Sequence, residues 1–272
     1  MRRKWGFFVG FALLCATTIA AIFPFYMMLI MSTYRTQELA KAIRMVPGSY
    51  FMNNLAKVIE GNFLNYYWNS FYITVIATLL CALVSSLTGY GLAKFKFKLN
   101  KPLYTFIIAS MMIPMQLGLI GYVIEMRYFH LGNTREAVIA MYIASSFGVF
   151  WMTQFIRGSL PNAVIESARI DGCGELKIFF NIVLAYIKPG LATLIILSFM
   201  WNWNNYLLPL VVLSDPELYP ITLGIASLGN RYSADYAAQI SALALGTVPL
   251  IIIFILGSRY FIQGLTAGDV KG

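Results

Sequence analysis

"PGLATLIILSFMWNWNNYLLPLVVL", residues 189–213, is a run of 25 residues without a single Asp, Glu, Lys or Arg. In an ordinary soluble domain about 25% of the residues are charged, so an uncharged run of this length is not expected there. A helix needs about 20 consecutive apolar residues to cross a bilayer. This stretch therefore predicts a membrane-spanning helix.

Five further apolar runs are found elsewhere in the chain, at residues 6–31, 69–93, 103–124, 137–156 and 237–258. Of the 272 residues, 59% are hydrophobic and only 11% are charged. Strands of a membrane barrel would give alternating segments of about 10 residues, whereas a helix satisfies its backbone hydrogen bonds within one continuous run. The sequence predicts an all-α, polytopic membrane protein with six transmembrane helices in a single domain, residues 1–272.

The first apolar run follows Arg2, Arg3 and Lys4, as a signal peptide would, but it is longer than the 7 to 15 or so residues of a signal core. We therefore expect it to remain as a span. Across the six spans, thirteen Lys and Arg fall on the side of the amino terminus and seven on the other side. The positive-inside rule then predicts that both termini are cytoplasmic. The net charge of +9 is explained by this asymmetry and by attraction to the anionic lipid bilayer, without a nucleic acid partner.

The sequence lacks the groups that several function classes require. Its three Cys are scattered and His130 is the only histidine, so neither a disulfide nor a metal site is predicted. All eleven acidic residues lie outside the six apolar runs, whereas ion-coupled carriers commonly place ionisable groups at membrane depth. An embedded enzyme is disfavoured for the same reason. A stand-alone secondary carrier and a membrane scaffold without a transport role remain alternatives.

The longest inner segment, residues 157–188, contains the polar stretch "ESARIDGCG" at 166–174. Ser159 is a candidate helix cap, Pro161 suits a first turn and Gly172 is a natural stop. We expect a helix of about three turns lying off the membrane, then a second helical stretch at 175–184 leading to Pro189. The first helix either rests on lipid headgroups or docks to a protein partner. Its acidic residues favour a protein partner.

The stretch "ESARIDGCGELKIFFNIVLAYIKPG", residues 166–190, resembles the EAA motif in membrane subunits of binding-protein-dependent ABC importers. The matching positions are Glu166, Ser167, Ala168, Asp171, Gly172, Phe179, Ile182, Leu184 and Pro189. Three residues depart from the motif: Ser167 and Cys173 stand where Ala is usual, and Ala185 where Pro is usual.

Further stretches are similar to the carbohydrate branch of this family, in particular to its six-span subunits of the maltose-importer type. They are "YYWNSFYIT" at 66–74, "GYGLAKFKF" at 89–97, "MMIPMQ" at 111–116, "WNWNNYLLPL" at 201–210 and "GLTAGDVKG" at 264–272. In the last of these, Gly264, Gly268 and Gly272 are a further mark of the branch.

The resemblance implies the type I permease fold of a bacterial inner-membrane importer. In that family the helix carrying the motif fits a groove on a cytoplasmic ATPase dimer, and ATP-driven closure rocks the spans. Glu166 would be the polar contact to the ATPase, Ala168 would allow close approach and Gly172 would permit the turn. The other expected partners are a second permease subunit forming a heterodimer, an extracytoplasmic solute-binding protein and a carbohydrate substrate, in particular an oligosaccharide.

The chain is expected to bind no cofactor of its own. It lacks the G-x-x-x-x-G-K-[ST] phosphate loop, so ATP would be bound and hydrolysed by the partner ATPase.

Polar residues near mid-membrane are the candidates for a substrate path. "WNWNNY", residues 201–206, begins about 18 Å into the predicted fifth span, where amides in lipid would be costly. They either join helices by hydrogen bonds or line a sugar path in which aromatic rings and amides contact the substrate. For the path we select Asn202, Asn205 and Tyr206.

A second candidate for the path is Gln116, with Met115, after Pro114. Pro114 itself predicts a kink in the third span, and this structural role is the alternative explanation. On the outer side, residues 34–68 are either a contact for the binding protein or a surface loop with a short helix.

Overall fold

The computed structural model describes residues 2–39, 41, 44–228 and 235–266, and within these ranges it contains helices and no strands. The α-helices are α1 (Arg2–Met31), α2 (Thr36–Leu39), α3 (Phe51–Glu60), α4 (Phe63–Lys94), α5 (Asn100–Ser110), α6 (Leu119–Tyr128), α7 (Arg135–Ile143), α8 (Ser146–Ser159), α9 (Asn162–Ile170), α10 (Glu175–Ile178), α11 (Leu184–Asn204), α12 (Leu207–Val212), α13 (Ile221–Ser227) and α14 (Tyr236–Thr266). The 3₁₀-helices are Met115–Gly118 and Pro216–Leu218, and a π-helix covers Phe179–Val183. Some residues used in the sequence analysis lie outside the described residues. They are Gly268, Asp269, Lys271 and Gly272 of the tail, and Arg231, one of the seven basic residues counted opposite the amino terminus.

Five helical segments of the described chain are long and apolar enough to cross a bilayer: Phe8–Met31, Phe63–Lys94, Arg135–Ser159, Glu175–Asn204 and Tyr236–Arg259. The pair Asn100–Ser110 and Met115–Tyr128 makes a sixth if it counts as one broken span. The predicted all-α membrane fold is confirmed. Two of the predicted spans nevertheless have a different course.

The third predicted span, 103–124, is two helices that meet at an angle of 94°. α5 ends at Ser110, and Pro114 has an extended backbone with φ −61° and ψ 128°. Proline has no N–H to donate and its ring clashes with the preceding turn, so a helix cannot continue through it without distortion. The kink predicted at Pro114 is present, and it is a full break.

The fifth predicted span, 189–213, begins earlier and breaks before its end. α10, the π-helix and α11 form one continuous helical segment from Glu175 to Asn204, and Asn205 is extended, with ψ 126°. In an unbroken helix the carbonyl of Asn205 would accept from the N–H of residue 209, but Pro209 has none. The hydroxyl of Thr222 donates to that carbonyl at 2.8 Å instead. The break is therefore a consequence of Pro209.

The chain forms two compact units, and the first contains residues 1–65 and 224–248. Asn54 on α3 is 1% exposed, and its amide nitrogen donates 2.8 Å hydrogen bonds to the carbonyls of Ser32 and Tyr34. These bonds join α3 to the carboxyl end of α1. The described residues of the segment 34–68 thus include helices α2 and α3 and the beginning of α4.

Asp235 joins three parts of this unit. It accepts hydrogen bonds from Lys57 Nζ at 2.5 Å and from Thr36 Oγ1 at 2.6 Å, and it caps α14 by accepting from the backbone N–H of Ala238 at 3.1 Å. Burial alone would raise the pKa of Asp235, but these hydrogen bonds together bring it below its ordinary value. The hydrogen bond to Asp235 raises the pKa of Lys57.

The second unit contains residues 66–223 and 249–272. Its main apolar cluster packs the carboxyl end of α4 against α8, α9, the π-helix and α11. The buried members are Tyr90, Met152, Ile156, Leu160, Ile165, Ala168, Ile178, Phe179, Val183, Ile187 and Leu194. A second cluster packs the first half of α4 against α6, α7 and α12.

Close packing of α4 on α8 depends on small residues. A Cβ atom added to Gly89 would lie 2.9 Å from both the Cβ of Met152 and the backbone nitrogen of Thr153, and one added to Gly148 would collide with Ser85. Lipid supplies no hydrophobic force between helices, so their association depends on such close van der Waals contact.

We expect Gly89→Ala to destabilise the protein, because the added methyl group meets α8 backbone that cannot move without separating the helices. Overpacking of this kind costs about 1 to 3 kcal/mol. Gly91→Ala is the matched control, since a Cβ there has nothing within 4 Å. Thermal unfolding of the purified protein in detergent measures both. Equal melting temperatures for the two variants would contradict the close α4–α8 contact.

Candidate functional site: the helix α9 and a cavity beside α11

The helix predicted for the EAA-like stretch is α9, Asn162–Ile170. Pro161 is its N-cap residue and provides no side-chain cap. Ser159, predicted as a cap, instead belongs to α8 and donates to the carbonyl of Phe155 at 2.7 Å. Because α8 extends to Ser159, the hydroxyl of Ser159 bonds within α8 and does not cap α9.

Gly172 ends α9 as predicted, and its φ of +76° is the left-handed conformation that favours glycine. The N–H of Gly172 donates to the carbonyl of Arg169, and the N–H of Cys173 donates to the carbonyl of Ala168, both at 3.0 Å. This pair of bonds is the Schellman motif. It fixes the direction in which the chain leaves α9 towards α10.

α9 buries one face within its own chain. Ile165 and Ala168 belong to the main apolar cluster, and Ala168 is 6% exposed. The small side chain of Ala168 therefore allows α9 to pack closely on this core. Glu166, Ser167 and Asp171 are exposed, so they form the free face of the helix.

A polar network connects α9 to α10 and to the end of α4. Arg169 Nε donates to Glu175 Oε1 at 2.6 Å, and the hydroxyl of Tyr90 donates to Glu175 Oε2 at 2.8 Å. The hydrogen bond to Glu175 raises the pKa of Arg169 above its ordinary value. Sequence reasoning selected none of these three residues as part of a network, because Tyr90 is 85 positions away from Glu175.

A groove of about 480 Å³ opens beside α9. Its walls are Lys94, Phe95, Lys96, Asn162, Ile165, Glu166, Arg169 and Glu175. Glu166, predicted as the polar contact to a partner, thus stands at the edge of a concave surface that carries both signs of charge.

The second unit also contains a half-open cavity of about 520 Å³. Its walls are Cys81, Ser110, Ile113, Met115, Tyr122, Ala140, Met141, Tyr142, Ala144, Ser145, Ser146, Ser198, Trp201, Asn202 and Asn205. Two of the predicted path residues, Asn202 and Asn205, are brought together here. The other two, Tyr206 and Gln116, are exposed and do not line this cavity.

The break at Asn205 explains why Tyr206 is absent from the cavity. On a continuous helix Tyr206 would lie beside Asn202, four residues earlier. The chain instead leaves the α11 axis one residue before Tyr206. Asn205 turns its amide oxygen to the backbone N–H of Leu208 at 3.1 Å. Gln116 lies in the 3₁₀-helix after Pro114, where the break turns it away from the cavity that Met115 lines.

Asn202 and Asn204 differ in their surroundings. The amide nitrogen of Asn202 donates to Thr78 Oγ1 on α4 at 3.3 Å, and Asn202 faces the cavity. Asn204 is exposed and donates to the carbonyl of Met200 on its own helix at 2.8 Å. The helix–helix bond considered as an alternative for these amides is therefore present at Asn202, together with the cavity.

Sequence reasoning missed the hydroxyl groups of the cavity. Ser110 Oγ and Ser146 Oγ are 2.7 Å apart, across α5 and α8. The hydroxyl of Tyr142 is buried and has no hydrogen-bond partner among the described residues. These residues come from three separate helices. Only the serine pair 145–146 within an apolar run offered a signal in the sequence.

The described part of the chain contains no group of three or more His, Cys, Asp or Glu side chains able to hold a metal ion. The three cysteines are free. His130 is exposed in a turn, with φ 59°.

Comparison with known proteins identifies the family. Residues 82–266 match the family described as binding-protein-dependent transport system inner membrane component. The chain is 34% identical to an arabinooligosaccharides transport system permease protein of Halalkalibacterium halodurans, over 100% of both chains. It is 33% identical to a lactose transport system permease protein of Rhizobium radiobacter, over 100% of this chain and 98% of that protein.

The fold is also found in a solved structure. A bacterial ABC transporter involved in the import of the acidic polysaccharide alginate superposes with a TM-score of 0.82 over 95% of this chain and 97% of that one, at 20% identity. The resemblance to ABC importer permeases stated from the sequence is confirmed. The chain belongs to the family of binding-protein-dependent transport system inner membrane components and is a multi-pass permease subunit of an ABC transporter.

Proposed function

We propose that this permease carries a carbohydrate, in particular an oligosaccharide, across the bacterial cytoplasmic membrane. The two relatives described above are named for arabinooligosaccharides and for lactose. The observation that carries the proposal is the cavity in which the ring of Trp201 accompanies the amides of Asn202 and Asn205. A flat ring stacks on the C–H face of a sugar and amides pair with its hydroxyls, the usual composition of a small-molecule site.

The hydroxyl groups of the cavity support a sugar as the substrate. An unpaired buried hydroxyl such as that of Tyr142 is costly, and the hydroxyl of a sugar in the cavity is a suitable partner for it. In our proposal this chain forms half of the path. A second permease forms the other half as a heterodimer, and an extracytoplasmic binding protein delivers the substrate to the outer segment 34–68.

We infer that the energy comes from a cytoplasmic ATPase dimer that docks on α9. The chain has no phosphate-binding loop of its own. Beside Glu166, α9 and α10 expose the large apolar side chains of Ile170, at 87%, and Leu176, at 70%. Apolar side chains exposed next to acidic ones suit a protein partner better than an anionic lipid surface. This docking requires α9, and with it both termini, to lie in the cytoplasm.

Gly172→Ala should destabilise the turn that ends α9, because an L residue in the left-handed region costs roughly 1 to 2 kcal/mol. Gly174→Ala is the matched control: a Cβ at either position has nothing within 4 Å, but Gly174 has an ordinary φ of −68°. We expect uptake and ATPase co-purification to fall for Gly172→Ala alone. The same loss for both variants would contradict the role of the turn.

Glu166→Ala should reduce the amount of ATPase that co-purifies with the permease, while membrane insertion stays normal. The side chain is exposed at the edge of the groove, so its loss should not disturb the fold. Glu125→Ala, an exposed acidic residue on α6, is the charge-matched control. Undiminished ATPase recovery with Glu166→Ala counts against its docking role.

Asn202→Ala should raise the KM for sugar uptake about 3- to 10-fold, the effect of losing one hydrogen bond worth roughly 1 kcal/mol. Asn204→Ala, which leaves the cavity unchanged, should have little effect. Thr78→Val removes the helix–helix bond of Asn202 but keeps its amide. Uptake of radiolabelled lactose and arabino-oligosaccharides by vesicles containing the whole complex is the measurement.

If Thr78→Val impairs uptake as much as Asn202→Ala does, Asn202 acts as a structural link and the sugar contact is wrong. Accumulation of sugar by the purified chain alone, driven by an ion gradient without ATP, would contradict the proposed ATPase coupling.

A further inference from the structure

Glu175, the first residue of α10, binds two different helices through its two carboxylate oxygens. Oε1 accepts from Arg169 on α9 at 2.6 Å, and Oε2 accepts from the hydroxyl of Tyr90 on α4 at 2.8 Å. A carboxylate held at both oxygens cannot turn without breaking one of its bonds. These three residues therefore connect the docking helix, the start of the long helical segment Glu175–Asn204 and the end of α4.

Aromatic rings also contact two of these residues, Arg169 and Tyr90. The guanidinium of Arg169 lies 5.4 Å from the ring centre of Phe95, and Phe95 meets the ring of Tyr90 edge-on at 5.4 Å. Tyr90 in turn packs on Phe179 of the π-helix, with ring centres 5.9 Å apart. The position of Arg169 is thus set both by a directional ion pair and by a cation–π contact.

A second connection joins the loop before α9 to α4. Lys94 Nζ donates to the carbonyl of Leu160 at 2.5 Å and to Asn162 Oδ1 at 2.8 Å. Arg157 donates to the carbonyl of Leu92 at 3.3 Å. Both ends of α9 are therefore attached to the carboxyl end of α4 or to the residue after it: Arg169 contacts Phe95 and, through Glu175, Tyr90, and Asn162 accepts from Lys94.

The helical course of the chain is irregular on both sides of Glu175. Gly172 forms the left-handed turn between α9 and α10, and the π-helix Phe179–Val183 interrupts the regular helix that follows. π-helical turns are irregular and are frequent at functional sites. Because Arg169 precedes the turn and Glu175 follows it, their ion pair bridges the turn.

We propose that Tyr90, Arg169 and Glu175 are positioning residues that make α9, α10 and the end of α4 move as one body, so that displacement of α9 reaches two membrane-spanning helices together. The proposal rests on the proposed docking of an ATPase to α9 and adds where the movement goes. The side chains of Arg169 and Glu175 are 39% and 42% exposed, and such ion pairs contribute little to stability. The apolar cluster around Ile165 and Phe179 is sufficient to keep α9 attached. Loss of the network should therefore affect coupling and leave the fold intact.

The test uses the whole complex reconstituted in vesicles, with Glu175→Gln and Tyr90→Phe as variants. Glu175→Gln keeps the shape of the side chain and removes its charge, and Tyr90→Phe removes only the hydroxyl. Lys177→Gln, an exposed change of charge on α10 outside the network, is the control. The readouts are the ATPase that co-purifies, the melting temperature, and the sugar taken up per ATP hydrolysed. Lactose and arabino-oligosaccharides serve as probes, and the one that stimulates the unaltered complex is used.

We expect both variants to retain the ATPase and the melting temperature while sugar uptake per ATP falls about tenfold for Glu175→Gln and less for Tyr90→Phe. The double variant Arg169→Gln with Glu175→Gln should lose no more than the worse single variant, because both remove the same ion pair. Lys177→Gln should match the unaltered complex.

The outcomes separate this proposal from the docking proposal. An unchanged ratio of uptake to hydrolysis in Glu175→Gln, with the ATPase attached, overturns the positioning role and leaves docking intact. Loss of the ATPase from Glu175→Gln at an unchanged melting temperature also overturns it, because Glu175 would then be a docking residue. Failure of the unaltered complex to retain any ATPase contradicts the proposed function itself.

Discussion

The need to satisfy every backbone hydrogen bond away from water is the constraint on which this structure depends. It explains why the long apolar runs of the described chain are helical, since a helix pairs its own N–H and C=O groups within the run. It also explains what happens where proline makes such pairing impossible. At Pro209 the carbonyl of Asn205 loses its helical donor, and the hydroxyl of Thr222 takes its place. A break of this kind is tolerated inside a membrane protein only where another group of the protein completes it.

The breaks coincide with the cavity. The extended residue Asn205 and the bend at Pro114 each turn a chain segment out of its helical course, and Asn205 and Met115 both line the same cavity. On a straight helix, successive side chains point in directions about 100° apart. At a break, neighbouring amides and backbone groups can instead face the same cavity. The breaks that interrupt the helices thus also contribute to the wall of the cavity.

One helical segment links the two parts of the candidate site. From Glu175 to Asn204 it has 30 residues, about 45 Å at 1.5 Å per residue. Its first residue belongs to the network with Arg169 and Tyr90, and its last turn carries Trp201 and Asn202 of the cavity. The segment thus directly connects the network beside α9 with the cavity. Small residues such as Gly89 bring α4 close to α8 beside this segment.

The sequence by itself determined the helical membrane class, the position of α9, its end at Gly172 and the break near Pro114. These follow from local causes: the length of apolar runs, the conformational freedom of glycine and the missing N–H of proline. The tertiary structure alone decided that Ala168 packs on its own core, that Tyr206 and Gln116 miss the cavity, and that Tyr90 reaches Glu175. These depend on which distant helices meet and at what angle. In lipid, that choice rests on close packing and a few interhelical hydrogen bonds, which residue spacing along one chain does not encode.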